Sequence, residues 1–323
     1  MRSRLHREVS AGLARLSDEQ LSALLASASP LGSGIGGRSA ELTVGETPVF
    51  VKRIPLTDRE SRPTTANVFG LPTFYQYGLG STGFGAWREL AAHTMTTKWV
   101  LDGSFAGFPL MYHWRVLPDT PPEGFADDFG GIAGTVAHWD GSPAVRTRLE
   151  AIGRSTASLA LFLEYVPQTL SRLFAASGPQ LWVEDALARA TAFMSSRGFV
   201  HFDGHFGNIL TDGQQLFFAD FGLASSTTFE LSAAESAFLS DHLSYDHCYT
   251  MSHLLRGLLG GGRAHLDEWL AGHRTDPGIV SGIDSVIGRH ARSTVVLDDF
   301  HRALMAGKWR TRFPADALRN SWR

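Results

Sequence analysis

One cysteine, Cys248, stands in 323 residues. That scarcity excludes an intrachain disulfide and a cysteine-based zinc site, and it suits a reducing, cytoplasmic setting. Long apolar runs are missing too: nothing approaches the roughly 20 residues that a membrane-spanning helix requires. Arg2, Arg4 and Arg7 near the start are not followed by an apolar stretch of signal-peptide type. The expectation is a cytoplasmic chain with no membrane partner. Excess charge of one sign is also lacking. The net charge of −3 argues against a nucleic-acid partner, because general nucleic-acid binders are usually strongly basic. No internal repeat is visible. What remains is an ordinary globular composition, 43% hydrophobic and 19% charged. The length suits one large two-lobed domain or two ordinary ones.

The informative stretch is 198–225, GFVHFDGHFGNILTDGQQLFFADFGLAS. Asp203 follows His201 by two, Asn208 follows Asp203 by five, and Asp220 follows Asn208 by twelve and opens Asp220-Phe221-Gly222. Two apolar runs, Ile209-Leu210 and Leu216 to Ala219, flank the turn chemistry of Thr211-Asp212-Gly213-Gln214. The stretch therefore reads as loop, strand, tight turn, strand, loop, with Asn208 and Asp220 at the open ends of a hairpin. Their side-chain oxygens suit Mg²⁺, which takes few protein ligands and fills its shell with phosphates and water. Asp203 lies just outside that pair, where a carboxylate can accept a hydroxyl proton. Two metal ligands and a base describe phosphoryl transfer.

This pattern resembles the protein-kinase-like superfamily, whose catalytic loop reads His-x-Asp-x-x-x-x-Asn and is followed by Asp-Phe-Gly. The resemblance is specific over 31–54 and 159–255. It implies an α+β, bilobal kinase-like fold: an N-terminal helical extension over 1–30, a small β-rich lobe with insertions over 31–166, and a larger helical lobe over 167–323. Gly32, Gly34 and Gly37 between strand-like segments resemble the family's glycine loop over the nucleotide phosphates. Alone, Gly-x-Gly-x-x-Gly is a weak signal, and neither the preceding strand nor the following helix of a dinucleotide-binding motif is present. Lys52 in Val49-Phe50-Val51-Lys52 is expected to contact the α/β-phosphates of ATP. A helical glutamate must hold that lysine; Glu89 is the candidate and Glu60 a competitor. Leu159 to Val166 reads as the strand leading to the adenine-binding hinge, with Glu164 and Val166 offering backbone groups and Leu163 beside the base.

Two departures bear on the acceptor. No Ala-Pro-Glu follows Asp220, and Phe202 stands where many regulated kinases carry arginine. With His205 two after Asp203 and Gly207 before Asn208, the loop looks more like the aminoglycoside- and choline-kinase branch and some atypical protein kinases. His205 is read either as a γ-phosphate contact or as an ordinary loop histidine. The implied activity moves the γ-phosphoryl of ATP, with Mg²⁺, to a hydroxyl, foremost a Ser or Thr of a protein or peptide. A small-molecule acceptor is the alternative. A nucleotide-binding pseudokinase is disfavoured because Lys52, Asp203, Asn208 and Asp220 are all present.

Elsewhere the signals are local. Residues 1–30 read as helix, with a Ser17/Gln20 capping box and Pro30 as the stop. Strands are expected over 40–44 and 49–54 around a Gly45-Glu46-Thr47-Pro48 turn. An insertion over 55–85 carries Phe69, Phe74, Tyr75 and Tyr77, expected to pack locally. Helix is expected over 86–101, strand over 108–117, a loop or lid over 118–145, a short helix over 146–155, and two helices over 168–197 ending at Gly198. Asp246, on a helix over 244–255, resembles the family's aspartate that braces the catalytic loop from below. His242, His247 and His253 are near one another in sequence, but His247 and His253 are six apart, off the spacing that shares one helix face, so no metal site is read there. A loop is expected over 257–263 and helix thereafter, with Trp269, Trp309 and Trp322 as core or surface anchors.

Overall fold

The computed structural model describes residues 1–34, 37–260, 263–272 and 283–321. The chain opens with two helices rather than one. α1 (Arg2–Ala14) stops short of Ser17, and α2 (Asp18–Ala26) begins on the expected capping box, Ser17 accepting from the Gln20 N–H while the Gln20 side chain reaches back. Pro30 does not end a helix. It lies in β1 (Ser29–Gly34), an edge strand, where a missing N–H is tolerated. β2 (Gly37–Val44) starts before the expected Ala40. β3 (Thr47–Leu56) follows after Gly45-Glu46 alone, so Pro48 is a strand residue paired with Thr43.

Residues 57–85 hold only two 3-10 turns, at 58–60 and 73–76. α3 (Ala86–Leu101) has the expected bounds. β4 (Met111–Pro118) begins later than the expected Phe108. The 118–145 stretch is not simply a loop: it contains α4 (Gly131–His138) and the start of α5 (Pro143–Gly153), which Ser142 caps and Pro143 opens. β5 (Ala157–Glu164) ends before Tyr165 and Val166. These five strands form one antiparallel sheet in the order β1-β2-β3-β5-β4.

The second half is mainly helical. β6 (Gln168–Thr169), α6 (Leu170–Ser177) and α7 (Trp182–Ser196) come first. Gly198, at φ 63°, then supplies the left-handed step that ends α7. β7 (Phe199–Val200), β8 (Ile209–Thr211), β9 (Leu216–Phe218) and β10 (Ser225–Ser226) are short. β8 and β9 make the expected hairpin, and β10 pairs with β7. α8 (Ala233–Asp241), α9 (Tyr245–Leu259), α10 (Arg263–Leu270), α11 (Ile283–Met305) and α12 (Ala315–Asn320) complete a mixed α+β chain. Because α9 runs to Leu259 and α10 starts at Arg263, most of the loop expected over 257–263 is helix.

Packing across the chain explains the main departures. α1 and α2 bury Val9, Leu13 and Leu21 against Leu42, Val51 and Phe162 of the sheet. The aromatics of 55–85 do not pack only among themselves: Phe74 stacks on Trp309 with centroids 6.2 Å apart, and Tyr77 meets Phe300 edge-on at 5.4 Å. Trp309 is buried and Trp269 half-buried, while Trp322 lies outside the described residues. Among the described residues no helix is long and apolar enough to cross a membrane.

Candidate functional site

β3 carries Lys52 between Val51 and Arg53; its side chain is only 11% exposed, and its ammonium meets two carboxylates. It lies 2.7 Å from the Glu89 carboxylate of α3 and 2.6 Å from that of Asp220. Burial opposes the charge on Lys52; the Coulomb attraction of Asp220 and Glu89 outweighs it and holds the ammonium above its usual range. Burial pushes Glu89 up to about 7, against the pull of Lys52 and with Asp220 adding repulsion. Burial also opposes ionisation of Asp220, yet Lys52 brings it down to about 2. Glu60, the competitor for Lys52, has a different place. It pairs with Arg148 at 2.6 Å, both side chains 2% exposed, and accepts the Ala86 N–H at 2.8 Å. A carboxylate thus caps the positive end of α3, the helix that presents Glu89.

Two residues of the loop region sit in left-handed backbone, Phe202 at φ 65° and Asp220 at φ 62°, conformations that cost a non-glycine residue about 1–2 kcal/mol. Buried contacts hold them there. Asp246 on α9 accepts the His201 and Phe202 N–H groups at 2.6 and 2.9 Å, bracing the loop as expected. The His201 ring is hydrogen-bonded to the Ala219 carbonyl at 2.9 Å, and Phe221 packs between His93 and His201, with centroids 4.8 and 5.2 Å away. Burial keeps both histidines neutral, lowering His93 to about 3 and His201 to about 4. Asn208 donates to an Asp203 carboxylate oxygen at 2.9 Å. Asp203 itself is pushed up to about 6 by burial. His205 stands beside Asp203, Nε2 3.9 Å from Oδ1, with its Nδ1 accepting from the Gly207 N–H.

Lys52, Asn208 and Asp220 line one cavity of about 310 Å³ together with Leu31, Leu163 and Val166. Glu164 also lines it, but its carboxylate binds Arg2 at 2.6 Å and its N–H bonds the Leu110 carbonyl, leaving its own carbonyl as the group it can offer. Gly34 pairs with Gly37 at the end of the β1–β2 hairpin. Gly37, at φ 119°, has no room for a Cβ against the Arg53 carbonyl, so its smallness serves packing as well as turning. Gly32 and Gly34 have open space or only the Ser39 hydroxyl nearby. Ile35 and Gly36, between Gly34 and Gly37, lie outside the described residues.

The donor set fits Mg²⁺ with phosphate. Lys52 occupies one Asp220 oxygen and leaves the other, and Asn208 spends its amide N–H on Asp203 and keeps its carbonyl oxygen. Among the described residues no cluster of three or more His, Cys, Asp or Glu could hold a metal. A pair of oxygen donors is the number that Mg²⁺ takes when substrate phosphates complete its shell.

Several contributors escape a linear reading. Arg2, Gln76, Gly78 and Arg148 reach the site from far along the chain, and only Arg148, a buried cation on an amphipathic helix, leaves any trace in the pattern. No protein-family model matches this chain, and no curated protein matches it.

Proposed function

We propose that the chain is a bilobal, protein-kinase-like phosphotransferase that moves the γ-phosphoryl of ATP to a hydroxyl. The observation that carries this reading is the junction of the buried Lys52 with Glu89 and Asp220, at 2.7 and 2.6 Å. It joins strand, helix and Asp-Phe-Gly segment, and Lys52 and Asp220 line the cavity. Such an arrangement serves phosphoryl transfer, in which positioning and charge neutralisation lower the barrier more than covalent chemistry does.

In this reading Leu31, Leu163 and Val166 enclose the base, and the Glu164 carbonyl and the Val166 N–H hold its edge. Lys52 binds the α/β-phosphates, with Glu89 keeping the ammonium in place. The glycine hairpin lets backbone approach the phosphates. Asn208 and Asp220 would hold Mg²⁺, which when bound neutralises charge between the β- and γ-phosphoryl oxygens. Asp203 orients the acceptor hydroxyl and takes its proton, and its Oδ1 lies between His205 and Gly78.

The test is phosphoryl transfer from γ-labelled ATP with and without Mg²⁺, comparing wild type with Asp203→Asn. Loss of a general base is worth about 10²–10⁴ in rate. Mg²⁺-dependent turnover that falls by that amount, with nucleotide affinity kept, supports the reading. Equal turnover in the two proteins removes Asp203 from its role.

A further inference from the structure

The acceptor side of Asp203 is built by a segment that the catalytic reading leaves without a task. Residues 64–83 fold back from β3 across the chain that follows Asp220. The Thr65 hydroxyl accepts the Glu230 N–H at 2.8 Å, and the Thr65 carbonyl accepts from Arg88 at 2.6 Å. The buried Gln76 side chain donates to the Leu223 carbonyl. Tyr77 reaches His242 at 2.6 Å. Two glycines mark the closest approaches: a Cβ on Gly78 would collide with the Asp203 carboxylate, and one on Gly83 with the Gly222 carbonyl. The outer side is braced as well, with the Leu79 carbonyl hydrogen-bonded to His138 at 2.9 Å and the Gly80 carbonyl accepting from Trp139 at 3.3 Å. Tyr75, Gln76 and Tyr77 are each less than 5% exposed.

We infer that this strap restricts the acceptor to a small hydroxyl compound, with Gly78 as the residue that sets the limit. The inference rests on Asp203 acting as the proton acceptor. A serine within a polypeptide brings two chain arms to the base, and each arm needs a surface to lie on. Along the segment after Asp220 that surface is already hydrogen-bonded to the strap. A small alcohol brings no arms. It needs only the Oδ1 side of Asp203, whose side chain is 22% exposed beside the half-open His205. The hydroxyl oxygen would form the new P–O bond as the bond from the γ-phosphorus to the bridging oxygen breaks; the proton goes to Asp203, and ADP leaves with the electron pair.

The experiment uses the full chain, Gly78→Ala, and a strap-release variant, Thr65→Val with Gln76→Ala. Hydrogen exchange of 222–231 reads the cover without any catalysis. Transfer from γ-labelled Mg-ATP to water, glycerol and casein reads the acceptor limit. In the wild type, 222–231 is protected and casein receives no more label than the Asp203→Asn control gives. The release variant exchanges faster over 222–231. Gly78→Ala displaces the base, and a misplacement of about 1 Å costs about 10²-fold in turnover with Mg-ATP affinity unchanged. Exchange of 222–231 at the unprotected rate in the wild type, or casein labelling that equals wild-type ATP hydrolysis, overturns the inference. Absence of Mg-ATP binding by the wild type instead sinks the phosphotransferase reading, and the exchange result still decides whether the strap covers the segment.

Discussion

The Asp246 carboxylate receives the Phe202 N–H at 2.9 Å and the His201 N–H at 2.6 Å, from a helix that follows the loop by more than forty residues. Phe202 pays for its left-handed backbone with this contact and with burial among Phe238, His242 and Tyr245. Asp203 is the next residue, so its aim depends on the brace. Asp246→Ala leaves two buried donors unsatisfied, at roughly 1–3 kcal/mol each. The variant should unfold at lower urea concentration and lose turnover beyond any loss of nucleotide affinity. An unchanged unfolding midpoint would mean the brace is dispensable.

The acid limb of the pH–rate profile should report Asp203. Burial raises its carboxyl to about 6, so below that pH the base is protonated and kcat/KM falls tenfold per unit. An exposed aspartate would place the limb about two units lower, near 3.9. His205 beside it works the other way, lowering Asp203, so His205→Gln should move the limb upward. A limb near 4, or one that stays put in His205→Gln, contradicts this assignment.

Phosphorylation of the segment after Asp220 should not switch the protein on. Ser225 and Ser226 are buried in the β10–β7 pair, and the Ser226 hydroxyl contacts that of Thr228 at 3.0 Å. The chain from Gly213 to Leu255 contains no Lys or Arg, and Arg88 is engaged by Glu235 at 2.6 Å. A phosphate orders a loop only by gaining cationic partners. Replacing Ser225, Ser226, Thr227 and Thr228 by alanine should leave the initial rate of freshly dephosphorylated protein within about tenfold, allowing for packing losses of order 1 kcal/mol. A larger loss, restored by glutamate at one of these positions, would show a phospho-switch.

The site was legible where its chemistry is consecutive. His201 to Asp220 supplies spacing, hairpin and turn within one stretch, and the bounds of α3 follow from a run free of Gly and Pro between Gly85 and Asp102. Asp246 was legible through the resemblance alone, which matches it to an aspartate that braces the catalytic loop; the His201 and Phe202 N–H groups it receives lie far from it along the chain. What stayed hidden is made by distance. α4 has two glycines and no side-chain cap, a poor helix by propensity; its Val136 and the following Trp139 are buried with Trp309 and Leu304 from the far end of the chain. Pro30 reads as a helix stop until β1 is known to be an edge strand. Gly78 looks like any loop glycine until Asp203 is seen beside it. Glu60 and Glu89 are both acidic residues near a helix start, and only the Arg148 partner separates the cap from the lysine clamp.

The most direct test of the central claim is calorimetric titration of wild type and Asp220→Ala with a non-hydrolysable ATP analogue, with and without Mg²⁺. Asp220 holds Lys52 at 2.6 Å and offers its second oxygen to the cavity. The wild type should bind one nucleotide in a Mg²⁺-dependent manner, and Asp220→Ala should lose about tenfold or more in affinity, the order of a charge-assisted contact worth ~1.5–3 kcal/mol. Equal, Mg²⁺-independent affinity in the two proteins, or no binding by the wild type, would contradict a phosphoryl-transfer site at Lys52, Asn208 and Asp220.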